Sequence, residues 1–539
     1  MGRSTQDSKS SNVAHMEVLS ATETSSPYST EALIERGLRI LEEEQHLSLF
    51  QTAKLHWRAL LVCSVSFTAG LVFGYDTVVN GAAISMPAFF IYFGDIGPKG
   101  PYLPSVWTSL WVAMSALMQA FGALLVGYIS DRFGRKWPAS AAGVLTLAGT
   151  AIQFTAHARG SLLAGKMVTG VGVGVAMATA TSYASEIAPQ KLRRTVQSAL
   201  VLFTIFMQGV ALGIIRIFVP NIEPVAFRTV FAIQWAVGGL LIVAFALAPE
   251  SPVFLVLNHK YERARKSMAR IYGSSNDPDA RLACLIKTMN EERARNNHEE
   301  GTYLECFQGT DLRRTLAVML IYAAPNFAGA AFLAQAIYFL IIAGLPAIHS
   351  FDVAIGGFGL GCIIIVGTIF LSGKVKNRSA FYAGLVANFL AMLVVGCLYY
   401  SKAAGSLWAI AVIMSVQISI QTSLLQGMGY PIAAELSKLR LRAKTLSIGV
   451  TVQTFTTWLT TFIMPYIYNV DAGNLGARTG FIFTATSVLL CIATFYLVPD
   501  TTNMSLEDLD HAYDQKVPAW RIKAGCTPDV NHAVDKQEL

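Results

Sequence analysis

The chain has 539 residues, 53% of them hydrophobic and only 14% charged, with a mean hydropathy of +0.47. Soluble domains carry roughly a quarter charged residues, so this composition excludes an ordinary soluble protein and points to lipid as the main solvent. The net charge of +7 comes from bases grouped in alternate loops between apolar runs. That is a topology pattern and not the basic patch of a nucleic-acid binder.

Residues 1–56 are polar and Ser/Thr-rich, and read as a disordered cytoplasmic tail without a basic-then-apolar leader. Within them, TEALIERGLRILEEEQHL at 30–47 has apolar residues at helical spacing and could lie as a surface helix. Twelve apolar runs follow, at about 57–83, 106–129, 137–155, 161–183, 195–219, 227–247, 315–342, 353–371, 380–399, 407–434, 445–468 and 480–498. Each is long enough to cross a hydrocarbon core of ~30 Å. The expected fold is an all-α membrane protein of twelve transmembrane helices in two six-helix halves, 57–250 and 315–498. A cytoplasmic helical linker, 251–314, joins them, and a short tail, 499–539, closes the chain.

Lys and Arg set the orientation. Lys191, Arg193 and Arg194 lie between the fourth and fifth runs; Lys374, Lys376 and Arg378 lie between the eighth and ninth. Lys438, Arg440, Arg442 and Lys444 lie between the tenth and eleventh. Both termini are therefore expected in the cytoplasm, with the chain a multi-pass protein, expected in the plasma membrane. The loop between the second and third runs, GYISDRFGRK, packs Asp131, Arg132, Arg135 and Lys136 between Gly127 and Gly134. Glycines there suit a tight turn between two close helices. An internal repeat supports two parallel halves: an acid-to-base spacing from Glu186 to Arg193 and Arg194 recurs from Glu435 to Arg442 and Lys444.

Asp76, inside the first run, is the acid that matters most. A charged carboxylate at membrane depth costs ~2.5–3.5 kcal/mol on insertion scales, so such groups usually face a cavity and do work. It reads as a proton carrier, or as half of a structural ion pair. Lys166, early in the fourth run, reads as its counter-charge, or as an interfacial lysine reaching for the headgroups. Gly170, Gly172 and Gly174 on that run lack the strand of a phosphate loop, and suit close helix approach instead. Gln208, Asn326, Gln335, Tyr338, Gln417, Gln421, Gln426, Tyr430, Gln453 and Thr457 offer amides, hydroxyls and rings to a hydroxyl-rich solute, or serve as interhelical glue. Gly427, Gly429 and Pro431 are expected to break the tenth span. No catalytic triad, nucleophile–base pair or metal-ligand spacing is present, so no enzyme and no cofactor is expected. The seven scattered cysteines read as small buried hydrophobes.

These motifs together resemble the sugar porters of the major facilitator superfamily, nearest the fungal α-glucoside (maltose-type) permeases. The resemblance rests on FGYDT at 73–77, GYISDRFGRK, YASEIAP at 183–189 and PESP at 249–252. The segments YLECFQGTDLRRT at 303–315, GARTG at 476–480 and PDTTNMSLEDL at 499–509 carry the maltose-type likeness. It implies that Asp76 couples protons, with Lys166 beside it, and that Phe73 and Tyr430 line the sugar site. It also implies that Asp131, Arg132, Arg135, Glu186, Arg193, Glu435 and Arg442 form a cytoplasmic charge network that breaks when the carrier opens inward. The Gln-Gln pair of hexose porters is replaced here by Pro325-Asn326, and an Asn of the site by Thr457. The expected function is proton-coupled sugar import by alternating access, with sugar, protons and the bilayer as partners. The alternatives are a same-fold facilitator or exporter of another polar solute, or a sensor that binds sugar without moving it.

Overall fold

Lipid offers backbone N–H and C=O groups no partners, so a chain this apolar must satisfy them within its own helices. The computed structural model describes residues 30–97, 100–273, 276–298, 303–371, 376–401, 405–437, 441–469, 472–501, 506–515 and 517–522. Within them the chain is helical almost throughout. Two helices, α1 (Thr30–His46) and α2 (Leu49–Leu55), precede the first span, α3 (Trp57–Ala82). A short α4 (Pro87–Phe93) and a hairpin of β1 (Asp95–Gly97) and β2 (Gly100–Tyr102) lead to the second span, α5 (Ser105–Phe133). The first half is completed by α6 (Lys136–Phe154), α7 (Arg159–Ile187), α8 (Arg193–Phe218) and α9 (Pro224–Leu247). The linker forms α10 (Pro252–Leu257), α11 (Tyr261–Tyr272) and α12 (Pro278–His298).

In the second half, the seventh span is broken into α13 (Gly309–Phe327), α14 (Ala330–Ala334) and α15 (Ala336–Ile342). Gly329, at φ +101°, makes the first break, since only glycine takes that conformation without strain. Then come α16 (Ala347–Leu371), α17 (Asn377–Leu398), α18 (Ser406–Ile420), a π-helical turn (Gln421–Gln426) and α19 (Gly427–Leu436). Finally α20 (Arg442–Tyr468) and α21 (Thr479–Leu497) precede a short α22 (Leu506–Asp514). Ten spans among the described residues are long and apolar enough to cross a bilayer. The other two of the twelve expected are α6 and α20, the second of which is rich in threonine. Thr146, Thr150, Thr451, Thr456, Thr457 and Thr460 each donate to a carbonyl one turn back, which hides the hydroxyl from lipid.

The two ends of the molecule differ. Away from the charged turn, one apolar cluster crosses both halves, with Phe89, Phe90, Trp111 and Phe227 from the first and Phe332, Tyr338 and Tyr468 from the second. Toward the charged turn each half has its own core, around Tyr183 and Phe245 in one and Phe381 and Leu436 in the other.

Residues 30–56 depart from the disordered tail that composition suggests. The carboxylate of Glu44 accepts from His56 Nε2 at 2.8 Å and from the guanidinium of Arg281, which lies 4.7 Å over the Tyr272 ring. Arg36 pairs with Asp277 at 2.6 Å. The linker is fastened in turn to the first half, where Tyr272 donates to the Ile187 carbonyl at 3.0 Å. Burial alone pushes the Glu44 carboxyl up, but the bonds from His56 and Arg281 outweigh it and hold it below the usual carboxylate range. A depressed carboxylate stabilises the fold fully above its unfolded value, ~4.3, and the contribution is lost as pH falls through the folded one. Glu44→Ala should therefore cost roughly 3–5 kcal/mol in this buried cluster, read as faster hydrogen exchange across 30–46 at neutral pH. Wild type should reach the same exchange only in acid; equal rates in both would show that Glu44 does not hold the clamp.

Candidate functional site

The midpoint of the first half holds a buried charge network. Asp76 on α3 is 2% exposed. It accepts from Asn80 Nδ2 at 2.9 Å, Gln119 Nε2 at 3.0 Å and Gln234 Nε2 at 3.0 Å, so α3, α5 and α9 each send it an amide. Lys166 on α7 is fully buried, which removes the reading of a lysine reaching for the interface. Its ammonium donates to Asn80 Oδ1 at 2.7 Å and to the Asn80 carbonyl at 3.4 Å, and lies 5.9 Å from the Phe231 ring centre. Among the described residues no direct ion pair joins Asp76 to Lys166; Asn80 stands between them. Because an ammonium can only donate, Lys166 fixes which way the Asn80 amide points, and that turns its N–H groups toward Asp76. The second Asn80 N–H meets Ser115 Oγ at 3.1 Å.

The glycines of α7 make this geometry possible. A Cβ on Gly174 would stand 2.0 Å from the backbone oxygen of Gln119, and one on Gly170 would stand 2.6 Å from that of Ser115. Both partners belong to the network, so the glycine stripe seats α5 at the depth from which its side chains reach Asp76 and Asn80. Asn80, Gln119 and Gln234 were not singled out from sequence. Asn80 was findable, since it lies one turn after Asp76 on the same face.

The second half gathers polar groups around Gln453 on α20. Its side chain donates to Tyr430 Oη at 2.7 Å, and its carbonyl accepts from Asn326 at 3.0 Å and Thr457 at 2.8 Å. Asn326 also donates to Thr456 Oγ1 at 2.9 Å. Tyr430 is 38% exposed, with its ring 5.2 Å from that of Tyr322. Gln417 is tied to Asn388 at 2.6 Å and Gln421 to the Pro325 carbonyl at 3.0 Å, which makes both interhelical glue. Gln335 accepts from Tyr468, and Tyr338 donates to Asn469; both side chains are buried in the cluster away from the charged turn, remote from Tyr430. Phe73, Gln208 and Gln426 are half-buried. The expected break at Gly427–Pro431 is displaced: α19 runs through Pro431, and the irregularity is the π-turn just before it. A π-turn shifts helical register by one residue and recurs at functional sites.

At the charged turn, Arg135 binds Glu186 at 3.0 Å and the Ser130 carbonyl at 2.9 Å, while its backbone N–H donates to Glu250 at 2.8 Å. Ser251 Oγ donates to the second Glu186 oxygen. In the other half Glu435 accepts from Thr501 at 2.6 Å. Arg132 and Arg193 are exposed and join no ion pair among the described residues, so the network formed here centres on Arg135 and Glu186. The side chains of Asp131 and Arg442 lie outside the described residues. Glu250, in PESP, belongs to the network and was legible only as a motif.

A polar network buried at mid-membrane, inside two halves of six helices, is the plan of a carrier. Residues 62–513 match the family model for "Sugar (and other) transporter". The chain belongs to that family, within the major facilitator superfamily. An MFS transporter of Aspergillus fumigatus is 40% identical over 90% of this chain and 92% of its own. The general alpha-glucoside permease of Saccharomyces cerevisiae is 25% identical over 89% of this chain and 79% of its own. Among solved structures, the Escherichia coli xylose transporter in its inward open conformation superposes with a TM-score of 0.65 at 19% identity, covering 84% of this chain and 99% of that one. The proton:xylose symporter bound to 6-bromo-6-deoxy-D-glucose gives 0.66 at 20% identity, with coverage of 84% and 99%. These likenesses establish the transporter's fold.

The glycine seating can be tested apart from transport. Gly174→Ala should drive α7 from α5 at an overpacking cost of roughly 1–3 kcal/mol, lowering the melting temperature of the purified transporter. Gly239→Ala, where a Cβ meets nothing within 4 Å, should leave it unchanged; equal melting of both variants would remove the seating role.

Proposed function

We propose that the chain is a proton-coupled sugar symporter working by alternating access, with Asp76 as the proton site and an α-glucoside or hexose as the solute. The observation that carries this is the amide relay from Lys166 through Asn80 to Asp76. As an anion, Asp76 is met by N–H donors on both oxygens. A proton on either oxygen would face a donor, so uptake must turn or displace one amide. Asn80 is the one linked to Lys166, and its release would break the link between α3 and α7. Proton binding is in this way expressed as helix movement. A proton moving inward gains ~2.3 kcal/mol per 100 mV, enough to drive accumulation.

The rest of the reading follows from the layout. Units 57–250 and 315–498 act as the two moving bodies, with the linker and both termini in the cytoplasm of a plasma-membrane carrier. Tyr430, Gln453, Gln426, Gln208, Phe73 and Thr457 supply the solute contacts, ring faces stacking on sugar C–H groups and amides meeting hydroxyls. The α-glucoside permeases at 25% identity and the xylose symporters of the same fold support a sugar.

One observation favours a second reading, a carrier of a less hydroxylated polar solute. Asn326, Gln417 and Gln421 spend their amide donors on protein groups, so fewer remain for a polyol.

Uptake of labelled maltose and glucose into transport-deficient cells, with external pH recorded, tests both. Wild type should accumulate sugar against its gradient with alkalinisation of the medium. Asp76→Asn should abolish accumulation while leaving exchange. Downhill entry unaltered by Asp76→Asn would make the carboxylate structural. Surface-expressed protein that moves neither sugar would leave the second reading standing. In a sugar carrier, Gln453→Leu, which frees the Tyr430 hydroxyl, should raise KM about tenfold, the cost of one or two hydrogen bonds. An unchanged KM would place Tyr430 outside the site.

A further inference from the structure

At the end away from the charged turn, a buried amide side chain joins the two halves. Asn469 closes α20 and is fully buried. Its Nδ2 donates across to the Leu103 carbonyl at 2.9 Å and to Ser105 Oγ at 3.1 Å, at the start of α5. Its Oδ1 accepts from Tyr338 at 3.4 Å, on its own side. The Tyr338 ring in turn stacks on Phe90 of the opposite half, at 5.6 Å and 4°. A second tie, the Arg216–Asp352 pair, sits nearer the rim with its side chains 43% and 42% exposed. Pairs so exposed contribute little.

We propose that Asn469 is the keystone of a gate, its amide having to leave Leu103 and Ser105 before that end of the carrier can open. The physical reason is desolvation. Pulling α20 from α5 strands a buried amide, a hydroxyl and a backbone carbonyl, so separation by a fraction of an ångström is unfavourable until water enters. The gate is either dry and bonded or wide and wet, which gives two discrete states in place of a continuum. Tyr338 and Phe90 fix the register, because both rings must slide when the amide lets go. Asn469 is thus a positioning residue for transport, contacting neither solute nor proton.

The proposal rests on the alternating-access part of the functional reading and on no particular solute. The test uses the full chain in lipid nanodiscs, with spin labels placed through an unnatural amino acid so that native cysteines stay. One pair, at Ile222 and Tyr400, spans the gated end; another, at Trp137 and Tyr496, spans the charged end, and all four residues are exposed. Asn469→Asp keeps the shape, loses the donors and sets a carboxylate against the Leu103 carbonyl. It should raise the population with a long Ile222–Tyr400 distance about tenfold and shorten Trp137–Tyr496 in the same molecules. Ser105→Ala should do the same more weakly, and Asp352→Asn hardly at all. Lengthening at the gated end without shortening at the charged end would reveal local loosening and overturn the gate. Distances unchanged in both Asn469→Asp and Ser105→Ala would overturn it too. A wild type held at one distance per end, at every pH tested, would sink alternating access itself and the gate with it.

Discussion

The carboxylate of Asp76 constrains the whole first half. An ionised acid at membrane depth has no water to solvate it, so the protein must supply donors at fixed distances. Three helices do so, through Asn80, Gln119 and Gln234. Gathering three helices around one side chain requires backbones closer than ordinary residues permit, and the glycines of α7 provide that approach where Gln119 and Ser115 sit. Lys166 then balances charge at one remove. An ammonium in direct contact would make a tight pair; here Asn80 stands between the two groups and bonds to both.

The two ends of the molecule use different physics. Where the halves meet, the contact is largely aromatic, with Asn469 bonded across it to Leu103 and Ser105. At the charged turn the polar groups bond within their own half, Arg135 to Glu186 and Thr501 to Glu435. Bonds kept inside each half favour separation at that end, since among the described residues no hydrogen bond or ion pair joins the halves there. The structure is thus joined across the halves at one end and bonded within each half at the other.

Much of the fold was legible because lipid imposes so narrow a choice. Long apolar runs must be helices, the bases count the turns, and Asp76 stands out because almost nothing else in a span is ionised. Lys166 was legible for the same reason. What was not legible depended on tertiary neighbours. Gln119 and Gln234 look like Gln417 and Gln421 in sequence, yet the first two bind the carboxylate and the others bind helix backbone and Asn388. Periodicity cannot separate a glutamine facing a charge from one facing a carbonyl. The helical breaks were misplaced for a related reason. Pro431 was read as an interruption, but the π-turn ahead of it resets the register so that α19 continues. The tail helix α1 was visible as a pattern, whereas its partner Arg281 lies more than two hundred residues away.

The Asp76 network lies in the first half and the polar groups around Gln453 in the second, so any communication between them has to pass through contacts between the halves. One such contact lies on α3. Asn80 is followed by Gly81, and a Cβ there would stand 3.2 Å from the carbonyl of Ala334 in the other half. Ala334 ends α14, and Gln335 and Tyr338 follow on the broken seventh span. A turn of the Asn80 amide is therefore one residue from a backbone contact with the most interrupted helix of the opposite half. Short helical pieces joined at Gly329 and Gln335 can pivot where a continuous helix would have to bend. In that arrangement the Asp76 network and the aromatic cluster around Tyr338 are neighbours through α3 and the broken span.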